Sequence, residues 1–170
     1  YGPKLRRIAR QRGVEALLIV DLRVTDEEAK LLSEAQVAAV SLSGVRGPAP
    51  YVGADDRLGG YLATRHLLDL GHRKIGYIGD TFPDAFGFTT SRDRYDGYVR
   101  AISEAGVPLN EAWVALGKHE RTEAVALGTR ILAPSDRPTA IFAMADLQAI
   151  GCLAAARELG LRVPEDVSII

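Results

Sequence analysis

At 170 residues, 47% apolar and 25% charged, the chain has a globular composition with material for one sizeable core or two small ones, which excludes disorder. Its 21 Lys and Arg nearly cancel its 22 Asp and Glu, so these residues offer no basic footprint for a nucleic-acid backbone. A single cysteine, Cys152, excludes an internal disulfide or a cysteine-cluster metal site, and no apolar run approaches the ~18 residues of a membrane span or follows a charged start as a secretion signal does.

Short apolar runs alternate with helical patterns along the chain, the order of βαβ units and a mostly parallel sheet. Ala16 to Val20 reads as the first strand. Thr25-Asp26-Glu27-Glu28 is a capping box, which predicts a helix to about Ala35. Val37 to Leu42 is the next strand. The turn-rich stretch Ser43-Gly44-Val45-Arg46-Gly47-Pro48-Ala49-Pro50 marks a subdomain boundary, and Tyr51-Val52-Gly53-Ala54 reads as a short strand across a hinge. Arg57 to Leu70 has helical spacing and stops at Gly71, after which Lys74 to Ile78 is a strand. Arg92 to Ala105 repeats the pattern with Gly106 as its stop and Pro108 beyond. Strands Trp113 to Leu116 and Thr139 to Ala143 follow, then a helix from Asp146 to Leu159 closed by Gly160. Its small residues Gly151, Ala154 and Ala155 permit close approach to a sheet or a partner helix. Val167 to Ile170 reads as a strand cut midway and position 1 is Tyr, so the expectation is a piece of a longer protein. Leu17-Leu18-Ile19-Val20 and Ala140-Ile141-Phe142-Ala143 are apolar on consecutive positions, as in strands covered on both faces.

Signatures of catalysis on such a sheet are missing from the sequence. There is no G-x-x-x-x-G-K-[ST] phosphate loop, no G-x-G-x-x-G after a strand and no G-x-S-x-G elbow. His66, His72 and His119 are too few and scattered for a metal cluster. Carboxylates are plentiful, but no spacing singles out an acid/base pair. Cys152 reads as a buried, inert thiol. No cofactor is expected, and the reading is a binding module rather than an enzyme.

Arg65-His66-Leu67-Leu68-Asp69-Leu70-Gly71-His72-Arg73-Lys74-Ile75-Gly76-Tyr77-Ile78-Gly79-Asp80 resembles the H-L-L-x-L-G-H-[RK]-[RK]-I-[AG]-x-I-x-G signature of LacI/GalR-family transcription regulators. Three further stretches agree in order. Asp55-Asp56-Arg57-Leu58-Gly59-Gly60 is similar to the D-[ND]-x-x-[GA] helix entry. Arg94-Tyr95-Asp96-Gly97-Tyr98 through Pro108 is similar to R-x-x-G-[YF] through A-G-[IVL]-P. Arg137-Pro138-Thr139 through Ile169 resembles the longest family signature almost throughout.

The resemblance implies a periplasmic-binding-protein-like (type I) α/β fold, truncated at both ends. Two subdomains, residues 1–52 and 53–170, would clasp a small molecule, and the DNA-binding helix-turn-helix would lie outside this chain. It implies a cytoplasmic repressor, a homodimer whose operator affinity a small molecule, most simply a sugar, modulates. By position, the residues implied as effector contacts are Arg94, Asp146, Asp21, Thr90, Arg92 and His119. Each has a plainer reading: Arg94 a surface arginine, Asp146 a helix-terminus charge, His119 an exposed loop residue. Ile150, Leu153, Ala154 and Arg157 are the implied dimer face, with core packing as the alternative. Two departures bear on the effector: Ala145 stands where sugar-binding members carry Asn, and Ser43-Gly44 where they carry Asp-Arg. The competing readings are a sugar-binding protein of a transport system, which shares the fold, and a small α/β enzyme with an unrecognised site.

Overall fold

The computed structural model describes residues 5–8, 13–20, 22–42, 46–83 and 88–170. These group into two units, each with its own contacts. The first comprises the described residues of Tyr1–Ala54 and Pro83–Thr89, and the second Asp55–Phe82 and Thr90–Ile170.

In the first unit, three parallel strands lie in the order β1 (Ala16–Val20), β2 (Ala38–Leu42), β3 (Tyr51–Val52). Ala16 pairs with Ala38 through to Val20 with Leu42, and Ser41 pairs with Tyr51. Helix α1 (Asp26–Glu34) connects β1 to β2 and begins with the expected box. The Thr25 hydroxyl accepts from the Glu28 amide at 3.3 Å, and the Glu28 carboxylate accepts from the Thr25 amide at 3.0 Å. Its end lacks a glycine, so Gln36 takes the left-handed position at φ 58°. Ile19, Val24, Leu32, Val37 and Ala49 form the core. Coverage on both faces, expected for β1, is corrected: Leu18 is 71% and Val20 54% exposed, because their side chains point away from α1.

The second unit has a four-stranded parallel sheet in the order β5 (Val114–Gly117), β4 (Ile75–Asp80), β6 (Ala140–Ala143), β7 (Ser168–Ile169). Alternate residues of its strands serve two cores. Ile75, Tyr77, Ala140 and Phe142 pack with Leu67 and Leu68 of α2 (Asp56–Asp69) and with Tyr98, Ala101 and Ile102 of α3 (Thr90–Glu104). Ile78, Ala115 and Ile141 pack on the other face with Leu127, Ile131 and Leu132 of α4 (Arg121–Leu132) and Cys152, Ala155 and Ala156 of α5 (Asp146–Glu158). Here continuous burial holds, since all four residues of β6 are buried.

Three helix stops fall on glycines in the left-handed region, Gly71, Gly106 and Gly160, as the sequence predicts. Helix α4 was not predicted, nor was the 3-10 turn Glu111–Trp113. Helix α4 carries neither a side-chain cap at Glu120 nor a glycine stop; its only interior punctuation, Gly128, lies where α5 comes close. The small residues of α5 meet this missed helix: a Cβ on Gly151 would sit 2.5 Å from Ala124 Cβ. Helix α3 starts two residues earlier than predicted, which places Thr90 as well as Arg92 inside its first turn.

Candidate functional site

Polar side chains of the second unit gather at the carboxyl ends of its strands, where the βα connections of a parallel sheet leave backbone and first-turn groups accessible. Two clusters form there, joined through Met144.

The first centres on Arg94, in α3. Its Nε and Nη2 both lie 2.8 Å from Asp56 Oδ1, at the start of α2, and its Nη1 donates to the Met144 carbonyl just after β6. Thr90 Oγ1 donates to the other Asp56 oxygen at 3.3 Å. The guanidinium is thereby held in one orientation by one backbone carbonyl and one carboxylate, with about a third of its side chain (32%) still exposed. Asp56 offsets its charge, so what it presents outward is hydrogen-bond donors more than net positive charge.

Asp80, which ends β4, is the hub of the second cluster. One of its oxygens stands 2.9 Å from His119 Nδ1 in the loop after β5, and the other accepts from the amide of Gln148 in the first turn of α5. Gln148 is buried, and its Oε1 has no partner. The Asp80 backbone is pinned as well: its amide donates to Met144 Sδ at 3.3 Å and its carbonyl accepts from Ser91 Oγ at 2.7 Å. Beneath this floor, Tyr77 donates to the Ser91 carbonyl, and burial pushes its phenol well above the ordinary range, so it stays neutral.

Of the residues expected from sequence, Arg94 and Thr90 meet through Asp56, and His119 is tied to Asp80 rather than free in its loop. Arg92 turns elsewhere: its guanidinium lies 5.1 Å from the Phe82 ring centroid and bonds Asp96 at 3.0 Å, in a surface network that Arg57 shares. Asp146 is exposed and is not the helix cap, which is Ala145 without a side-chain bond; as a first-turn acid it faces the positive helix end. Asp21, and Ser43-Gly44 among the departures, lie outside the described residues. Asp56, Asp80 and Gln148 were missed. Asp56 and Asp80 stood inside the quoted motifs at strand-end and helix-start positions, which is the signal that could have found them. Nothing in the sequence distinguishes Gln148.

His72 keeps a structural place, with Nδ1 2.9 Å from Thr139 Oγ1 and its pKa lowered by burial. Cys152 is buried and its thiol is pushed up to about 12, which keeps it protonated and unreactive. Among the described residues no three His, Cys, Asp or Glu side chains are grouped to hold a metal ion, and no helix is long and apolar enough to cross a membrane. On α5, Ile150 (49%) and Leu153 (46%) are exposed, with Ala154 half-buried and Arg157 exposed beside them.

Residues 64–170 match the model of a periplasmic binding protein-like domain family. The chain is similar to the HTH-type transcriptional repressor PurR of Haemophilus influenzae, 37% identical over 168 residues, 98% of this chain and 48% of that protein. It therefore spans about half the length of this curated relative. Among solved structures it is similar to a transcription regulator from Lactobacillus plantarum (TM-score 0.81, 31% identity, 98% of this chain and 63% of that one). It is also similar to the transcriptional regulator CelR in complex with cellobiose (TM-score 0.76, 29% identity, 99% of this chain and 53% of that one).

Proposed function

The chain belongs to the periplasmic binding protein-like domain family in its LacI/GalR-regulator form, and from that premise we propose that it is the sensing core of a repressor whose operator affinity a small molecule sets. The observation that carries this reading is the pair of linked polar clusters at the carboxyl ends of β4, β5 and β6, built from Arg94, Thr90 and His119 with Asp56, Asp80 and Gln148. They offer converging donors and acceptors, and among the described residues no three His, Cys, Asp or Glu side chains are grouped to hold a metal ion.

The effector in this reading is a neutral, hydroxyl-rich molecule, a carbohydrate. Arg94 supplies forked donors whose charge Asp56 offsets, and Asp80 discourages a carboxylate or phosphate nearby; the cellobiose bound by CelR is consistent with the class. Arg94, Thr90, His119 and Asp146 are the proposed contacts, with Arg92 at the rim. Residues 1–52 and 53–170 are read as parts of two subdomains, and operator DNA is contacted through a helix-turn-helix outside residues 1–170. The exposed Ile150 and Leu153, with Ala154 and Arg157, form the homodimer face. The protein acts in the cytoplasm.

Effector binding shifts the regulator between states, so the operator's affinity changes by the difference in effector binding between them, typically 5–150-fold or about 1–3 kcal/mol in such couplings. The test pairs a thermal-shift screen of neutral sugars on the intact polypeptide with anisotropy titrations of operator DNA selected by that polypeptide. The expectation is one sugar that both raises Tm and moves operator affinity, with both responses lost in Arg94→Ala. A response retained by Arg94→Ala, or a sugar that turns over, removes this reading. Sedimentation of Leu153→Asp tests the dimer face: a monomer is expected where the unchanged protein is a dimer.

A further inference from the structure

Two side-chain nitrogens converge on the Asp80 carboxylate, one from the buried Gln148 amide and one from the half-exposed His119 ring. Asp80 Oδ2 lies 2.9 Å from His119 Nδ1, while Asp80 Oδ1 takes the Gln148 amide hydrogen. A carboxylate has only lone pairs to offer, so a ring nitrogen at hydrogen-bond distance from it must carry the hydrogen. The opposite tautomer would place two lone pairs against each other at 2.9 Å. Its sole compensation would be a bond from Gln148 Nε2, which stands 3.4 Å from the same Nδ1. A charge-assisted bond at 2.9 Å outweighs a neutral one at 3.4 Å. We propose that Asp80 is a positioning residue that locks His119 as the Nδ1–H tautomer and so makes its Nε2 a hydrogen-bond acceptor in the site.

Gln148 has the supporting part. It donates to Asp80 from a position only 1% exposed, and its Oε1 is left buried without a partner, an arrangement that stability alone does not reward. With Nδ1 occupied, Nε2 is the one ring nitrogen left to a ligand, on a side chain that is 56% exposed. On the neutral ring, a group meeting it brings a hydrogen, as a hydroxyl or amine does, and a carboxylate or phosphate meets only a lone pair. That an effector meets this atom rests on the proposed function; the tautomer does not.

The experiment is a long-range proton–nitrogen correlation on the intact polypeptide labelled with nitrogen-15 histidine, at a pH where the ring is neutral. The His119 pattern is assigned by its loss in His119→Gln. The expected result is a protonated Nδ1 and a bare Nε2, kept in Gln148→Met and replaced in Asp80→Ala by the Nε2–H pattern that a free imidazole prefers. A wild-type ring protonated at Nε2 overturns the proposal, as does an unchanged pattern in Asp80→Ala. A tautomer that flips in Gln148→Met transfers the role to Gln148 and equally overturns it. Should Asp80→Ala fail to fold, the wild type and Gln148→Met still decide. The sample contains neither sugar nor DNA, so a failure here indicts Asp80, while a failed sugar screen with this tautomer intact indicts the functional reading.

Discussion

Strands β1 and β6 carry much the same kind of sequence, Ala-Leu-Leu-Ile-Val and Ala-Ile-Phe-Ala, yet they occupy different environments. All four residues of β6 are buried because α2 and α3 lie on one face of its sheet and α4 and α5 on the other. In β1 only Ile19 is buried, facing α1, while Leu18 and Val20 are exposed. A continuous apolar run therefore reports that a strand is suited to two-sided cover, and the cover itself must be supplied by helices of matching faces. The candidate site sits on the unit where that supply is complete, so its polar clusters rest on a rigid floor of packed strands.

The largest effect tests that floor. Ile141→Ala empties a fully buried position between β6 and the α4/α5 layer and is expected to destabilise the second unit by about 3–4 kcal/mol, as cavity formation adds to lost transfer energy. Urea unfolding followed through Trp113, in that unit, measures it; a loss below ~1 kcal/mol would mean that Ile141 is not tightly packed between β6 and the helices. Next is Gly97→Ala. A Cβ there would fall 2.2 Å from the Arg57 carbonyl oxygen and 2.6 Å from the Tyr61 amide, so α2 and α3 must separate. The expected loss is about 1–3 kcal/mol. Because the Arg94–Asp56 pair spans the same two helices, the variant should also weaken any sugar-induced thermal shift.

The comparison also separates what the sequence makes legible. Helix stops at Gly71, Gly106 and Gly160 and the capping box at Thr25 are local chemistry, and each is found where a local rule puts it. Helix α4 escaped because its entry at Glu120 has no side-chain cap and its end no glycine; packing against Gly151 and Ala155 holds it instead. The site divides along the same line. Arg94 and His119 are expected from the family resemblance and their places along it, whereas Asp56, Asp80 and Gln148 meet partners 38, 39 and 68 positions away. Such pairings depend on strand order, which no local pattern states.

A smaller effect of opposite sign is expected in the first unit. Gln36 is held at φ 58°, where α2, α3 and α5 end on glycine, so Gln36→Gly should relieve left-handed strain of about 1 kcal/mol, partly offset by the greater freedom of glycine in the unfolded chain. Hydrogen exchange of β2 amides reads the gain locally, and no slowing there would mean that the turn carries no strain.

The smallest effect bears most directly on β1. Leu18→Ala removes a side chain that is 71% exposed, so in residues 1–170 alone it should change stability by less than ~0.5 kcal/mol. The same substitution in a longer polypeptide is a measurement of cover. If other segments lie on that face of the first sheet, the loss rises towards the ~2–5 kcal/mol of a buried leucine, and β1 joins β6 in the environment its sequence suits. If the loss stays small in both, the apolar run is a surface strand, and consecutive apolar residues do not by themselves mark a two-sided sheet in this fold.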